Sequence, residues 1–212
     1  MKHKPNFEEA KKYWRAYWER GIIDRPVICV SAPKDGGTVP PYDGSPANSF
    51  RKCMEGNYES LLSAYDNLAS QIYFGGEGMP SLDITLGPDQ YAGFLGVEIE
   101  APEGMATTWS KPLLAGLEGY NAKIEKKTGG YFDIVKKYYE YGAAFSEGRF
   151  LLNMLDLHSN MDALSALRGP QELCVDIMDC PVEVHKVLND VRKTYKEIFE
   201  TMYTAGNMKK NG

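Results

Sequence analysis

Apolar residues recur along this chain at two spacings, and each spacing predicts its own kind of element. Phe7, Ala10, Trp14, Tyr17 and Trp18 fall at helical intervals, so the spacing predicts an amphipathic helix that Asn6 caps, with Glu9 at its third position, and that Gly21 ends. Val27 to Ser31 is instead a short run with apolar residues on both faces, the signature of a buried parallel strand. Lys34 to Pro46 is rich in Gly and Pro and predicts a long loop. From Pro46 to Ser70 the helical spacing returns, broken at Gly56-Asn57, and Gln71 to Phe74 predicts a second buried strand, closed by Gly75-Gly76-Glu77-Gly78. A Gly-rich excursion follows, where Asp83 to Leu86 and Val97 to Glu100 predict short extra strands ahead of Trp109 and Pro112. Tyr131 to Glu147 reads as a helix, Phe150 to Leu155 as a third core strand, and the segment from Pro181 as a long helix with Val184, Val187, Leu188 and Val191 on one stripe.

Strands that alternate with helices imply βαβ units, right-handed crossovers and a parallel sheet. The expected fold class is α/β, of the (β/α)8 TIM-barrel kind. Eight strands and about 250 residues are the ordinary requirement for closure, whereas this chain has 212 residues and three core strands in view. The expectation is therefore a partial barrel, about the first half, with an N-terminal helix and a Gly-rich excursion. Residues 1–212 would form a single domain that continues beyond the C-terminus or is completed by a partner chain.

Composition narrows the partners more than the fold. A net charge of -5 gives no general attraction to nucleic acid or to anionic lipid. The short basic groups, Lys123 with Lys126 and Lys127, and Lys209 with Lys210, read as solvated helix ends or tails. The N-terminus carries no apolar core of the kind a secretory signal needs, which points to the cytoplasm. Cys29, Cys53, Cys174 and Cys180 form no CxxC pair and suit reduced, mostly buried thiols.

Candidate chemistry sits where strands are expected to end, because parallel strands deliver their terminal side chains to one mouth. Asp156 and His158 follow the third strand at alternate positions, so if strand geometry persists that far they project together and the carboxylate would orient or charge the imidazole. The alternative is that Asp156 caps the next helix while His158 is merely hydrogen-bonded. Glu77 follows the second strand, and it belongs either to the pocket or to a loop. Trp109 offers a ring for a planar ligand or for aromatic packing. Asp162 is a substrate-side candidate or a helix-start residue, and Arg168 an ion-pair partner.

The run Leu157-His158-Ser159-Asn160-Met161-Asp162-Ala163-Leu164-Ser165-Ala166-Leu167-Arg168-Gly169, with Leu173, Asp176, Asp179 and Pro181 after it, resembles a segment of the uroporphyrinogen decarboxylase-like superfamily. Trp18-Glu19-Arg20 with Asp24-Arg25-Pro26, Phe74-Gly75-Gly76-Glu77, Gly87-Pro88 with Phe94-Leu95-Gly96, and Trp109 with Pro112 are spaced as in that group. The likeness spans almost the whole chain but only the N-terminal half of the family's barrel. It implies an enzyme acting on a tetrapyrrole, a corrinoid or a related small molecule, as a lyase of the decarboxylase type or as a methyltransferase serving a corrinoid protein. The arginine-rich loop that binds the substrate carboxylates in true uroporphyrinogen decarboxylases is replaced here by Ser31-Ala32-Pro33-Lys34-Asp35-Gly36-Gly37, which argues against that classical reaction. The methyltransferase branch uses zinc on His and Cys ligands from the half of the fold not represented here, so no metal or cofactor is expected within these residues. The competing expectation is a non-catalytic interaction module whose open sheet edge pairs with another chain, including a second copy in a homo-oligomer.

Overall fold

The periodic segments fold as helices along most of the chain in the computed structural model, which describes residues 1–36 and 38–211. In chain order the elements are α1 (Phe7–Trp18), β1 (Cys29–Pro33), α2 (Pro46–Met54), α3 (Tyr58–Gln71), β2 (Ile72–Gly76), β3 (Ser81–Leu82), α4 (Gln90–Phe94), β4 (Glu98–Glu100), β5 (Trp109–Lys111), α5 (Tyr131–Ser146), β6 (Leu151–Leu152), α6 (Met161–Arg168), α7 (Pro170–Asp179) and α8 (Pro181–Ala205). A 3-10 turn, Met208–Asn211, follows. The result is a mixed helix-and-sheet protein with three small sheets of two strands each, and no closed barrel among the described residues.

The local signals acted where the chain chemistry demanded. The break at Gly56-Asn57 separates α2 from α3: Gly56 turns with φ +69°, and the Asn57 side chain accepts from the Ser60 amide at 3.3 Å. Asn6 does stand at the start of α1, yet its side chain makes no capping bond. The N-terminal strap is held elsewhere, by Lys2, His3 and Lys4.

Strand direction is the main departure from expectation. β1 and β2 pair antiparallel, with Cys29 opposite Gly76 and Pro33 opposite Ile72. The ends of this ribbon are locked in that register by Glu77 N donating to Ile28 O at 2.8 Å and Lys34 N donating to Gln71 O at 2.9 Å. Alternation of elements specifies that strands exist and not which way they run, and here α3 passes into β2 without a loop. The ribbon is also not the buried sheet centre its composition suggested, because Ile28, Val30 and Tyr73 are all about half exposed. The parallel pairing forms instead between β3 and β6, Ser81 opposite Leu151 and Leu82 opposite Leu152, extended by Leu151 N to Pro80 O and Asn153 N to Leu82 O at 2.9 Å each. The strand expected at Asp83 to Leu86 thus lies just upstream, at Ser81 and Leu82. The third sheet is an antiparallel clip in which Glu100 faces Trp109 and Glu98 faces Lys111.

The core lies under these short strands. Leu62 of α3, Val135 of α5, Leu164 of α6 and Val187, Val191 and Ile198 of α8 are fully buried against Ile84 and Leu86 from the stretch after β3. Burial of that apolar surface is what stabilises helices of this length. α8 runs for 25 residues, about 38 Å, and is fixed midway by Tyr91, whose hydroxyl lies 3.1 Å from Val191 O and 2.8 Å from Thr194 Oγ1. Of the cysteines only Cys53 is buried, and Cys29 and Cys174 are exposed, so the expected burial of the thiols does not hold in general. Among the described residues no helix is long and apolar enough to cross a membrane.

Candidate functional site

Among the described residues the parallel pair β3–β6 is the one place where two strands end side by side with their carboxyl ends together, and polar residues lie just beyond it. Asp83 is the first residue after β3 and Asn153 the first after β6. Asn153 Nδ2 donates to Asp83 Oδ1 at 2.7 Å and to Ser81 Oγ at 3.2 Å, while Asn153 O accepts from the Tyr139 hydroxyl at 2.9 Å. Neither Asp83 nor Asn153 is among the candidates taken from the sequence, although Asn153 is the first polar residue after the apolar run Phe150-Leu151-Leu152.

Three residues past Asn153 the chain delivers the expected pair. Asp156 Oδ2 and His158 Nε2 lie 2.9 Å apart. Both are exposed, so their attraction is that of a solvated ion pair, worth at most about 1 kcal/mol. The contact is a close approach rather than an aligned hydrogen bond, and it sets the carboxylate beside Nε2 of the ring. The backbone around His158 is tightly bent. Ser159 N donates to Leu157 O at 2.7 Å, and Asn160 adopts φ +62° with ψ -127°, a conformation that costs a residue with a Cβ and that tends to occur where function overrides local preference. Asn160, rather than Asp156, stands at the N-cap of α6.

Asp162 lies in the first turn of α6 and is exposed, where its charge is favoured by the helix dipole. Arg168 at the other end of α6 pairs with Asp176, Nε to Oδ2 at 2.7 Å. Trp109 is about half exposed on β5. Its neighbour Thr108 is buried and donates to Leu86 O at 2.8 Å, which ties the Trp109 strand to the loop that follows β3.

Glu77 has a different environment. It is almost fully buried and accepts two parallel bonds from Arg25, Nη1 to Oε2 and Nη2 to Oε1, each 2.8 Å, together with the Ile28 amide at 3.0 Å. Bidentate guanidinium pairing is among the strongest side-chain contacts available. The Arg25 hydrogen bonds hold the Glu77 carboxyl down at about 2, against its ordinary 4.5, with burial opposing and the Ile28 amide assisting. Around it, Trp14 Nε1 donates to Glu77 O at 2.9 Å, and the buried Lys4 ammonium donates to Phe74 O and Gly76 O at 2.8 and 2.6 Å. These partners come from α1, the N-terminal strap and the segment before β1, and none comes from the stretch after β6. Glu77 is occupied in holding the β1–β2 ribbon to the N-terminus, and the structure does not bring it to Asp156 and His158.

A cleft of about 410 Å³ opens between the ribbon and the parallel pair, lined by Trp14, Ser31, Phe74, Ser81, Leu151 and Asn153 among others. Its size lies within the range of small-molecule sites. Among the described residues no three His, Cys, Asp or Glu side chains converge as metal ligands would. No protein-family model, no curated protein and no solved structure matches the chain.

Proposed function

We propose that this chain contributes part of the active site of a uroporphyrinogen decarboxylase-like enzyme acting on a tetrapyrrole, a corrinoid or a related small molecule. The observation that carries the reading is the 2.9 Å contact between Asp156 and His158, on the segment that leaves β6 of the parallel pair β3–β6. Such a dyad suits proton transfer at a mouth formed by strand ends. In a decarboxylation the C–C bond breaks, its electron pair stays on carbon as CO2 leaves, and a proton must reach that carbon. In its doubly protonated form His158 would supply that proton and be left neutral, with the Asp156 carboxylate beside its Nε2. In a methyl transfer the same pair would position the acceptor. Trp109, half exposed and next to Thr108, which is bonded to the loop after β3, is the ring for stacking on a planar ligand. Within this reading the chain forms the front part of a barrel, and Glu77 braces the ribbon instead of touching substrate.

The test is an equilibrium titration of the protein with hydroxocobalamin and, separately, with coproporphyrin, followed by tryptophan fluorescence and ligand absorbance. Saturable binding of at least one ligand, weakened at least tenfold by Asp156→Asn and by His158→Ala, is the expected result. A protein that binds neither ligand, or binds with affinity indifferent to both substitutions, contradicts the reading.

A second reading, an interaction module completed by another chain, is favoured by the edge of β6. Leu151 and Asn153 direct their amides to β3, so by the alternation of a strand the amide of Leu152 faces the other way, where a further strand would pair. Sedimentation equilibrium separates the readings for self-association: a concentration-dependent dimer broken by Leu152→Pro supports the module, and a monomer at all concentrations counts against pairing of copies.

A further inference from the structure

Gln90 stands out as a fully buried amide inside an otherwise apolar cluster. It opens α4, a helix of five residues whose other members, Tyr91, Ala92, Gly93 and Phe94, are buried as well. An amide in such surroundings is costly unless its polar atoms are bonded, and those of Gln90 are bonded to two different loops. Its Oε1 accepts from Leu86 N at 3.0 Å, and its Nε2 donates to Asp156 O at 2.8 Å. Leu86 belongs to the segment that leaves β3, and Asp156 to the segment that leaves β6. The same Leu86 accepts from Thr108 through its carbonyl. One chain of bonds therefore runs from the residue beside Trp109, through Leu86 and Gln90, to the backbone of Asp156.

We propose that Gln90 is a positioning residue for the Asp156–His158 pair: it fixes the backbone of Asp156 so that the two exposed side chains meet. The proposal rests on the reading of that pair as the working dyad. The physical need is plain, because an exposed ion pair has too little energy to order two side chains by itself, while each side chain loses conformational entropy when held. A buried anchor on the backbone between them and the core supplies what the pair lacks. Sequence position gives no sign of this role, since Gln90 sits in the Gly-rich excursion after β2.

Side-chain χ1 couplings measured by NMR on isotope-labelled protein test the proposal without any substrate. In the wild-type protein Asp156 and His158 should each show one dominant rotamer. Gln90→Met, which keeps the bulk and removes both bonds, should give rotamer-averaged couplings at both residues while those of His185, exposed on α8, stay unchanged. Asp156→Asn is the control for the pair itself. If His158 keeps its single rotamer in Asp156→Asn, the dyad reading fails. If His158 becomes averaged in Asp156→Asn but both residues stay ordered in Gln90→Met, only the role of Gln90 fails. Should Gln90→Met not fold, the coupling across the hydrogen bond from Gln90 Nε2 to the Asp156 carbonyl carbon in the wild-type protein decides: its presence supports the proposal, and its absence overturns it.

Discussion

Glu77 and Arg25 show how much a single residue pair carries here. The carboxylate is nearly inaccessible and fully bonded, so removing its cation leaves a buried, uncompensated charge, a change that costs about 3–5 kcal/mol in comparable sites. Arg25→Ala should therefore lower the urea midpoint markedly at pH 7 without altering the slope. The pH dependence has a definite sign. Because the carboxyl lies at about 2 in the fold against an ordinary 4.5, the unfolded chain takes up the proton first. Its contribution is complete above about 4.5 and is lost as pH falls through that value toward about 2. Wild-type protein should lose stability between pH 5 and about 2.5 more steeply than Arg25→Ala, and parallel slopes would refute the assignment. The contrast with Asp156 and His158 is sharp. Their exposure predicts that Asp156→Asn and His158→Ala change folding stability by less than about 0.5 kcal/mol, so any loss of ligand binding in these variants is local.

At the level of elements, the tight turn at Gly76 decides how β2 meets the N-terminus. Gly76 has φ +54°, and a Cβ there would lie 2.1 Å from the backbone oxygen of Ile28. Neither partner is a flexible side chain that could give way. Gly76→Ala should therefore cost more than 2 kcal/mol, more than the roughly 1 kcal/mol expected of Tyr91→Phe, which removes the hydroxyl bonded to α8. Thermal unfolding monitored by circular dichroism would rank the two. The same comparison shows why the helices were legible in the sequence and the strand pairing was not. Val135, Tyr138, Tyr139 and Gly142 mark the inner face of α5 by spacing alone, as Val184, Val187 and Val191 do for α8. Strand direction depends on long-range bonds such as Glu77 N to Ile28 O, which no local period reports. Two-residue strands such as β3 and β6 are also too short to show one.

Across the whole molecule, three small sheets and a helical core set Asn153 at the end of one parallel pair and on the cleft beside it, with Asp156 and His158 three and five residues further along the chain. Asp156 and His158 were reached from the sequence by strand alternation, yet β6 ends at Leu152 and the two meet across irregular backbone instead. Gln90 could not be found from the sequence, because its partners are 4 and 66 residues away and its burial is a property of the fold. Glu77 was selected by the same strand-end rule, but the antiparallel ribbon turns it to Arg25. Amide chemical-shift mapping with hydroxocobalamin and with coproporphyrin tests most directly the proposal that a ligand is held at the carboxyl end of β3–β6: for at least one of the two, shifts should concentrate in residues 83–86, 108–110 and 153–162. Shifts confined to α7 and α8, or none at saturating ligand, would contradict it.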